Sequence, residues 1–227
     1  ETNLSLRKQY CSPVVLLYNK VKFKMKIIKE TTKDFGYLQI LDFYTEEELD
    51  WIWKEISYLD YIIELPFERE QRRDQSAWHE DGTPKMTGKG VYVNSVFQEL
   101  DFSSIYTYSR KLFSEEVVNS ISETHPSNVF WMANCDNILL NRYQDSQEYA
   151  PHQDIASWTG LTVLLHEPEN INGGELSFPD YDIQLGKTHN SMILFPSWVS
   201  HAVNKLQCSG NAKRYSITHF INIQFGI

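Results

Sequence analysis

The sequence predicts a mainly β protein with flanking helices: a jelly roll buttressed by a small helical layer. Three observations carry this. Apolar residues recur at helical spacing near residues 46–59 and again within 102–122. After Asn128 the chain changes to short β-rich runs. Turn residues separate those runs, notably Asn172-Gly173-Gly174 and Pro179-Asp180. Many short strands after two helices suit a double-layered jelly roll with helical support. With 227 residues, 41% of them hydrophobic, the chain can bury a sizeable core in one domain.

In chain order, the first thirty residues are basic (Arg7, Lys8, Lys20, Lys22, Lys24, Lys26, Lys29) and are assigned to an N-terminal extension. Residues 1–24, ahead of Met25, are expected to be mobile or an upstream artefact. A single domain should fill 31–227, with helical support over about 45–125 and the jelly-roll core over about 128–227. The run 35–43 reads as a strand. Thr45 and Glu48 then stand three apart as a capping box. Leu49, Ile52, Trp53, Ile56 and Leu59 form the apolar stripe of the helix that follows. The second helix should turn Phe102, Ile105, Phe113, Val117 and Ile121 inward. Residues 64–95 carry six acids against five bases, with Pro66, Gly82, Pro84, Gly88 and Gly90, and read as a solvated loop or a lid. Strands are expected in 128–134, 137–143, 161–167, 174–180, 191–197 and 214–225.

Thirty Asp+Glu against 21 Lys+Arg give a net charge of -9, which opposes general binding to a phosphate backbone. Cys11, Cys135 and Cys208 are too scattered for a disulfide framework, so incidental thiols and a reducing, cytoplasmic setting are expected, with one disulfide left open. No apolar run approaches the roughly 20 residues of a membrane span. Val14–Tyr18 is too short for a signal-peptide core.

Two His-x-Asp triplets stand out, His79-Glu80-Asp81 and His152-Gln153-Asp154. Two imidazoles and one carboxylate on one side of a metal leave open positions for oxygen chemistry. On a strand, residues i and i+2 point the same way, so such a triplet delivers two ligands to one spot. A further His and a cation should follow from distant strands. The first triplet would need His125 and Arg142, but His125 sits in a polar stretch before Pro126 with no strand to hold it. The second is followed by His201, after a buried strand and a turn, and by Arg214, and is the favoured set. Alternation in 214–225 puts Arg214 and Ser216 on one face, where a guanidinium and a hydroxyl could hold a carboxylate. Lys213 and His219 fall on the other face.

These stretches, from Asn141 through His152 and Gly173-Gly174-Glu175-Leu176 to His201 and Arg214, resemble the Fe(II)/2-oxoglutarate-dependent dioxygenases of prolyl 4-hydroxylase type. The resemblance covers roughly 137–223. It implies a double-stranded β-helix (jelly-roll, cupin-like) core, with His152, Asp154 and His201 as catalytic iron ligands. It also implies that Arg214 anchors the distal carboxylate of 2-oxoglutarate, that Tyr143 hydrogen-bonds this cosubstrate, that Thr162 lines the same pocket, and that Tyr149 lies near metal and substrate. Gly173–Leu176 matches a structural turn. Implied with these are O2, ascorbate as a reductant, and hydroxylation of a C–H bond with release of succinate and CO2. A peptidyl proline is the first substrate expected; the alternatives are a free amino acid or other small molecule, or a non-catalytic metal-binding module. Asp154 fills the place a halide would need. Phe220 stands where a nucleic-acid demethylase would carry a second Arg.

Overall fold

A computed structural model describes residues 12–13, 25–65, 77–126 and 128–224. Its strands are β1 (Ser12–Pro13), β2 (Lys26–Thr31), β3 (Gly36–Leu41), β4 (Lys89–Tyr92), β5 (Cys135–Tyr143), β6 (Tyr149–His152) and β7 (Trp158–His166), then β8 (Ile171–Gly173), β9 (Leu176–Phe178), β10 (Ile183–Leu185), β11 (Ser191–Pro196), β12 (His201–Val203), β13 (Leu206–Cys208) and β14 (Lys213–Asn222). The major sheet runs β1-β5-β14-β7-β11-β3-β2, with β4 also on β5; the minor sheet runs β10-β9-β12-β6, and β13 pairs with β8. All pairings are antiparallel. The mainly β, jelly-roll expectation is borne out.

The long strands of the major sheet are buried on both faces, and alternation splits their side chains between two cores. Leu161, Val163 and Leu165 of β7, Tyr143 of β5 and Ile193 and Phe195 of β11 pack with Leu176, Phe178 and Val203 of the minor sheet. The opposite face, including Ile138, Leu140, Leu164, Leu194 and Ile217, packs against the helices. The strand-borne polar side chains of β5, β7 and β14 therefore sort between the two cores by parity and register.

Helix α1 (Glu46–Glu64) starts at the expected capping box: Thr45 Oγ1 accepts from Glu48 N (3.2 Å) and Glu48 Oε2 accepts from Thr45 N (2.8 Å). Ile52, Ile56, Leu59 and Ile63 are its buried stripe, one turn longer than the sequence suggests. The remaining helices are α2 (Val93–Val96), α3 (Ser104–Ser109) and α4 (Glu115–Ser122). The single helix expected within 102–122 is broken because Ser103 and Ser114 each cap a new one, accepting from Tyr106 N and Val117 N. Ile105, Phe113, Val117 and Ile121 are buried as expected, but Phe102 lies before the cap and is 77% exposed.

Three further expectations change. Residues 128–134 form a 3-10 turn at Phe130–Met132 instead of a strand, which buries Phe130 and exposes Trp131. The domain begins earlier than residue 31, since Met25 is buried and β2 pairs with β3 along its whole length; most of the proposed mobile segment 1–24 lies outside the described residues. Cys135 is disulfide-bonded rather than an incidental thiol, while Cys208 is free. Among the described residues no helix is long and apolar enough to cross a membrane.

Two ion networks lock the helical layer to the sheet. Asp60 of α1 accepts from Arg142 (2.7 Å), Lys213 (2.8 Å) and Tyr215 (3.3 Å), and Glu64 pairs with Arg142 and Lys89. Asp136, fully buried, takes a two-pronged grip from Arg110 (3.0 and 2.6 Å) and a hydrogen bond from His219 Nδ1 (2.8 Å). Burial pushes the Asp136 carboxyl up, but Arg110 and His219 outweigh it and hold it below its ordinary value. Its contribution is therefore complete above the ordinary carboxylate range and lost as pH falls through the lower folded value. Asp136→Ala should cost about 3–5 kcal/mol of unfolding free energy in urea titrations at neutral pH. The deficit should shrink in acid; a deficit that stays constant there would show that the carboxylate charge contributes nothing.

Candidate active site

Among the described residues, His152, Asp154 and His201 form the one group of His, Cys, Asp or Glu side chains whose ligand atoms converge, all within 4.8 Å of one another. The pairing of β6 with β12 brings this about, for it sets His201 directly opposite His152. His152 Nε2 lies 3.6 Å from Asp154 Oδ1, and His201 Nε2 lies 3.3 Å from Asp154 Oδ2. Asp154 is not placed by strand alternation, as the triplet suggested, because β6 stops at His152. Its position comes instead from its N–H, which donates to Ser197 O (3.1 Å), and from Thr159 Oγ1, which donates to Oδ2 (2.7 Å).

The two imidazoles are held alike at Nδ1. His152 Nδ1 faces Ala150 O at 2.9 Å and His201 Nδ1 faces Val199 O at 3.0 Å. A carbonyl only accepts, so each Nδ1 carries a proton; Nε2 of His152 presents a lone pair, while Nε2 of His201 faces Asp154 Oδ2. Burial, reinforced by the neighbouring His201, lowers His152 to about 3, so it stays neutral at physiological pH. Burial also works against the charged form of His201, but the charge and hydrogen bond of Asp154 prevail and raise its pKa. Asp154 is held below its ordinary value: burial alone would raise it, and the two histidines with Thr159 reverse that. The Tyr149 ring stacks on His152 at 3.5 Å between centroids and its hydroxyl accepts from Ala77 N (3.0 Å); Phe195 meets His201 edge-on at 4.9 Å. Two imidazoles held at Nδ1, with their Nε2 atoms beside an ionised carboxylate, fit a divalent iron ion with open positions.

Arg214 is fully buried on β14, opposite Tyr143 of β5 and Leu165 of β7. Its Nη1 donates to Ser216 Oγ and its guanidinium lies over the Tyr143 ring at 5.4 Å. Nε and Nη2 have no partner. Burial lowers its pKa to about 10, still charged at neutral pH. Such a cation is costly until an anion meets it, which is what a carboxylate-binding site requires. Gly174 makes room: a Cβ there would sit 3.1 Å from Arg214 Cδ, and φ of +76° disfavours any side chain. Burial keeps the Tyr143 phenol well above its ordinary pKa, opposed by Arg214 and reinforced by Tyr149 and Asp154. Tyr143 therefore remains a hydrogen-bond donor between the two clusters.

Thr162 does not join them. It lies across from Ile217 and Met192, on the helix-facing side, with Oγ1 3.7 Å from Met192 Sδ. The pocket-facing neighbours are Leu161 and Val163. Asn141 went unnoticed in the sequence: it is opposite Ser216, two residues before Tyr143, buried, and its Oδ1 has no partner. Gly90 permits β4 to cover it, since a Cβ would approach Asn141 Oδ1 to 2.4 Å. Lys213 and His219 point away, to Asp60 and Asp136. In the other triplet, His79 and Asp81 are exposed and Arg142 is held by Asp60 and Glu64. Of the stretch 64–95, expected to be a loop or lid, residues 66–76 lie outside the described residues, and residues 89–95 form β4 and most of α2 instead, because β4 pairs with β5. The part from Ala77 runs along β6, where Lys85 Nζ donates to Pro151 O (2.7 Å) and Met86 bridges to Tyr149.

Residues 138–222 match the family model described as 2OG-Fe(II) oxygenase superfamily. No curated protein matches the chain. Solved structures with a similar fold include the viral collagen prolyl hydroxylase of Paramecium Bursaria Chlorella virus-1 with 2OG (15% identity, 83% of this chain and 96% of that one, TM-score 0.53). A Pseudomonas putida prolyl-4-hydroxylase is similar at 14% identity, over 84% and 94% of the two chains, with TM-score 0.53. A Trichoplax adhaerens prolyl hydroxylase in complex with a hypoxia inducible factor peptide fragment is 12% identical over 82% and 83%, with TM-score 0.55. At these identities the likeness is one of fold. The family model bears out the expected resemblance to 2OG-Fe(II) oxygenases over residues 138–222, and these structures bear out the fold.

Replacing a ligand tests the cluster directly. His201→Ala and Asp154→Ala should each weaken Co(II) binding, followed by visible absorption, by more than the roughly 10–100-fold typical of losing an outer-shell partner. His79→Ala should bind as the wild type does. Undiminished binding in His201→Ala would remove the ligand assignment.

Proposed function

We propose that this chain is an Fe(II)- and 2-oxoglutarate-dependent dioxygenase that hydroxylates a C–H bond, with a peptidyl proline as its substrate. The observation that carries the reading is the fully buried Arg214 guanidinium with Nε and Nη2 unmatched, in the same inner core as the convergent His152, Asp154 and His201. A structural metal site would have no use for a second, anion-seeking charge in that core.

Iron, O2 and cosubstrate would together supply the oxidising chemistry: one oxygen atom of O2 ends in succinate as 2-oxoglutarate loses CO2, and the other becomes the substrate hydroxyl. The protein's part is placement. His152, Asp154 and His201 hold the metal. Arg214 receives the distal carboxylate, with Ser216 fixing one prong of the guanidinium and leaving the others for the ligand. Tyr143 and Asn141 add hydrogen-bonding groups on the same face, and the apolar walls from Leu161, Val163 and Leu165 keep the site dry. On the rim, Ile155 follows Asp154 and is 77% exposed, and Trp198 precedes His201 and is half exposed. An apolar rim suits a neutral proline ring in a peptide. The prolyl hydroxylases of similar fold, one holding a peptide, support the same substrate class.

Anaerobic titration of the Fe(II) protein with 2-oxoglutarate should produce a saturable charge-transfer band. Arg214→Ala should weaken the apparent affinity at least about 30-fold, the equivalent of about 2 kcal/mol for a truncated buried charge pair. With ascorbate present, proline-containing peptides should gain one oxygen atom in step with succinate formation. The absence of any band in iron-loaded protein would sink the dioxygenase reading; turnover of free proline but not of peptides would sink the substrate.

A further inference from the structure

Three side chains behind the metal site form a hydrogen-bonded line that the ligand assignment does not require. Thr159 Oγ1 is 2.7 Å from Asp154 Oδ2 and 2.8 Å from Ser197 Oγ. Thr159 and Ser197 are both fully buried, so neither hydroxyl can turn to water. Thr159 has a single proton, and the ionised Asp154 can only accept it. The Ser197 proton is then the one directed at Thr159. The line reads Ser197 O–H to Thr159 O–H to Asp154 Oδ2, with the backbone N–H of Asp154 closing a ring through Ser197 O (3.1 Å).

We infer that Thr159 is a positioning residue for the metal carboxylate, oriented in turn by Ser197. The inference rests on the metal reading of the His152, Asp154 and His201 cluster. With Oδ2 occupied by a hydroxyl, Oδ1, the oxygen nearer His152 at 3.6 Å, is the one left for a metal. The arrangement also spans the two ligand-bearing segments: Thr159 opens β7 just after the Asp154 loop, and Ser197 lies in the turn between β11 and His201. Strand alternation does not reach Asp154, so this line supplies the orientation that the strand does not. Removing it frees the carboxylate to rotate or to turn Oδ2 wholly onto His201 Nε2, already 3.3 Å away.

The test is Co(II) affinity by chelator competition, together with the visible ligand-field spectrum, in wild type, Thr159→Val, Thr159→Ser and Ser197→Ala. Thr159→Val keeps shape and loses the hydroxyl; affinity should fall roughly 10–100-fold and the spectrum should shift. Thr159→Ser should restore both. Ser197→Ala should show a smaller loss in the same direction. A merely structural role would move thermal stability without touching the spectrum. Wild-type affinity and spectrum in folded Thr159→Val overturn the inference. Should that variant not fold, an unaltered Ser197→Ala overturns it instead. Wild-type protein that binds no Co(II), or binding that survives His201→Ala, would overturn the metal reading and this one with it, whereas binding lost in His201→Ala but unchanged in folded Thr159→Val overturns this inference alone.

Discussion

A positive charge sealed from water at Arg214 is the constraint on which the rest of this structure depends. Its Nη1 is matched by Ser216, but Nε and Nη2 face the interior unmatched. Nothing else in the inner core tolerates such a group unless an anion completes it. Gly174 leaves the volume, and Tyr143 offers a ring face to one side. The histidine cluster lies in the same inner layer, with Phe195 against His201 and Tyr149 against His152. The unmatched guanidinium and the histidine cluster thus belong to one inner layer.

The strand that carries Arg214 also explains how one protein layer can serve two purposes. Along β14, Arg214 and Ser216 turn inward, while Lys213, Tyr215 and His219 turn to the helical side and end in Asp60 and Asp136. The outward residues anchor the strand from behind. Rigid backing of this kind lets the inward pair keep a fixed geometry toward a small ligand. The same logic applies to β5, where Arg142 is tied back to α1 and its neighbours Asn141 and Tyr143 face inward.

Long elements were legible in the sequence and most short ones, β9 apart, were not. Strands β7 and β14 fall within a few residues of their expected ends, because nine or ten residues carry a readable pattern. Strands β6 and β12 have four and three residues, too few for a period, so the placement of His152 and His201 on directly paired strands could not be foreseen. The error at Thr162 has a related cause. Alternation divides β7 into two faces without saying which one meets Arg214, and only the register with β14 decides it: Val163 stands opposite Ser216 and Thr162 opposite Ile217. Asn141 shares the parity of Tyr143 and was the available signal for an additional inward polar group. The hydroxyl line behind Asp154 joins residues 38 positions apart, a proximity no local pattern encodes.

The place of β14 in the major sheet bears on the order in which the molecule comes together. It is the last strand among the described residues, yet it lies between β5 and β7. During synthesis both flanking strands emerge first and wait with open edges for a partner tens of residues away. Such long-range pairing is slow and leaves sticky edges exposed in the meantime. Arg214 therefore arrives with the strand that closes the sheet. A chain interrupted before residue 213 would lack both its central seam and its buried guanidinium, so an incompletely made copy could not persist as a folded protein that lacks that charge alone.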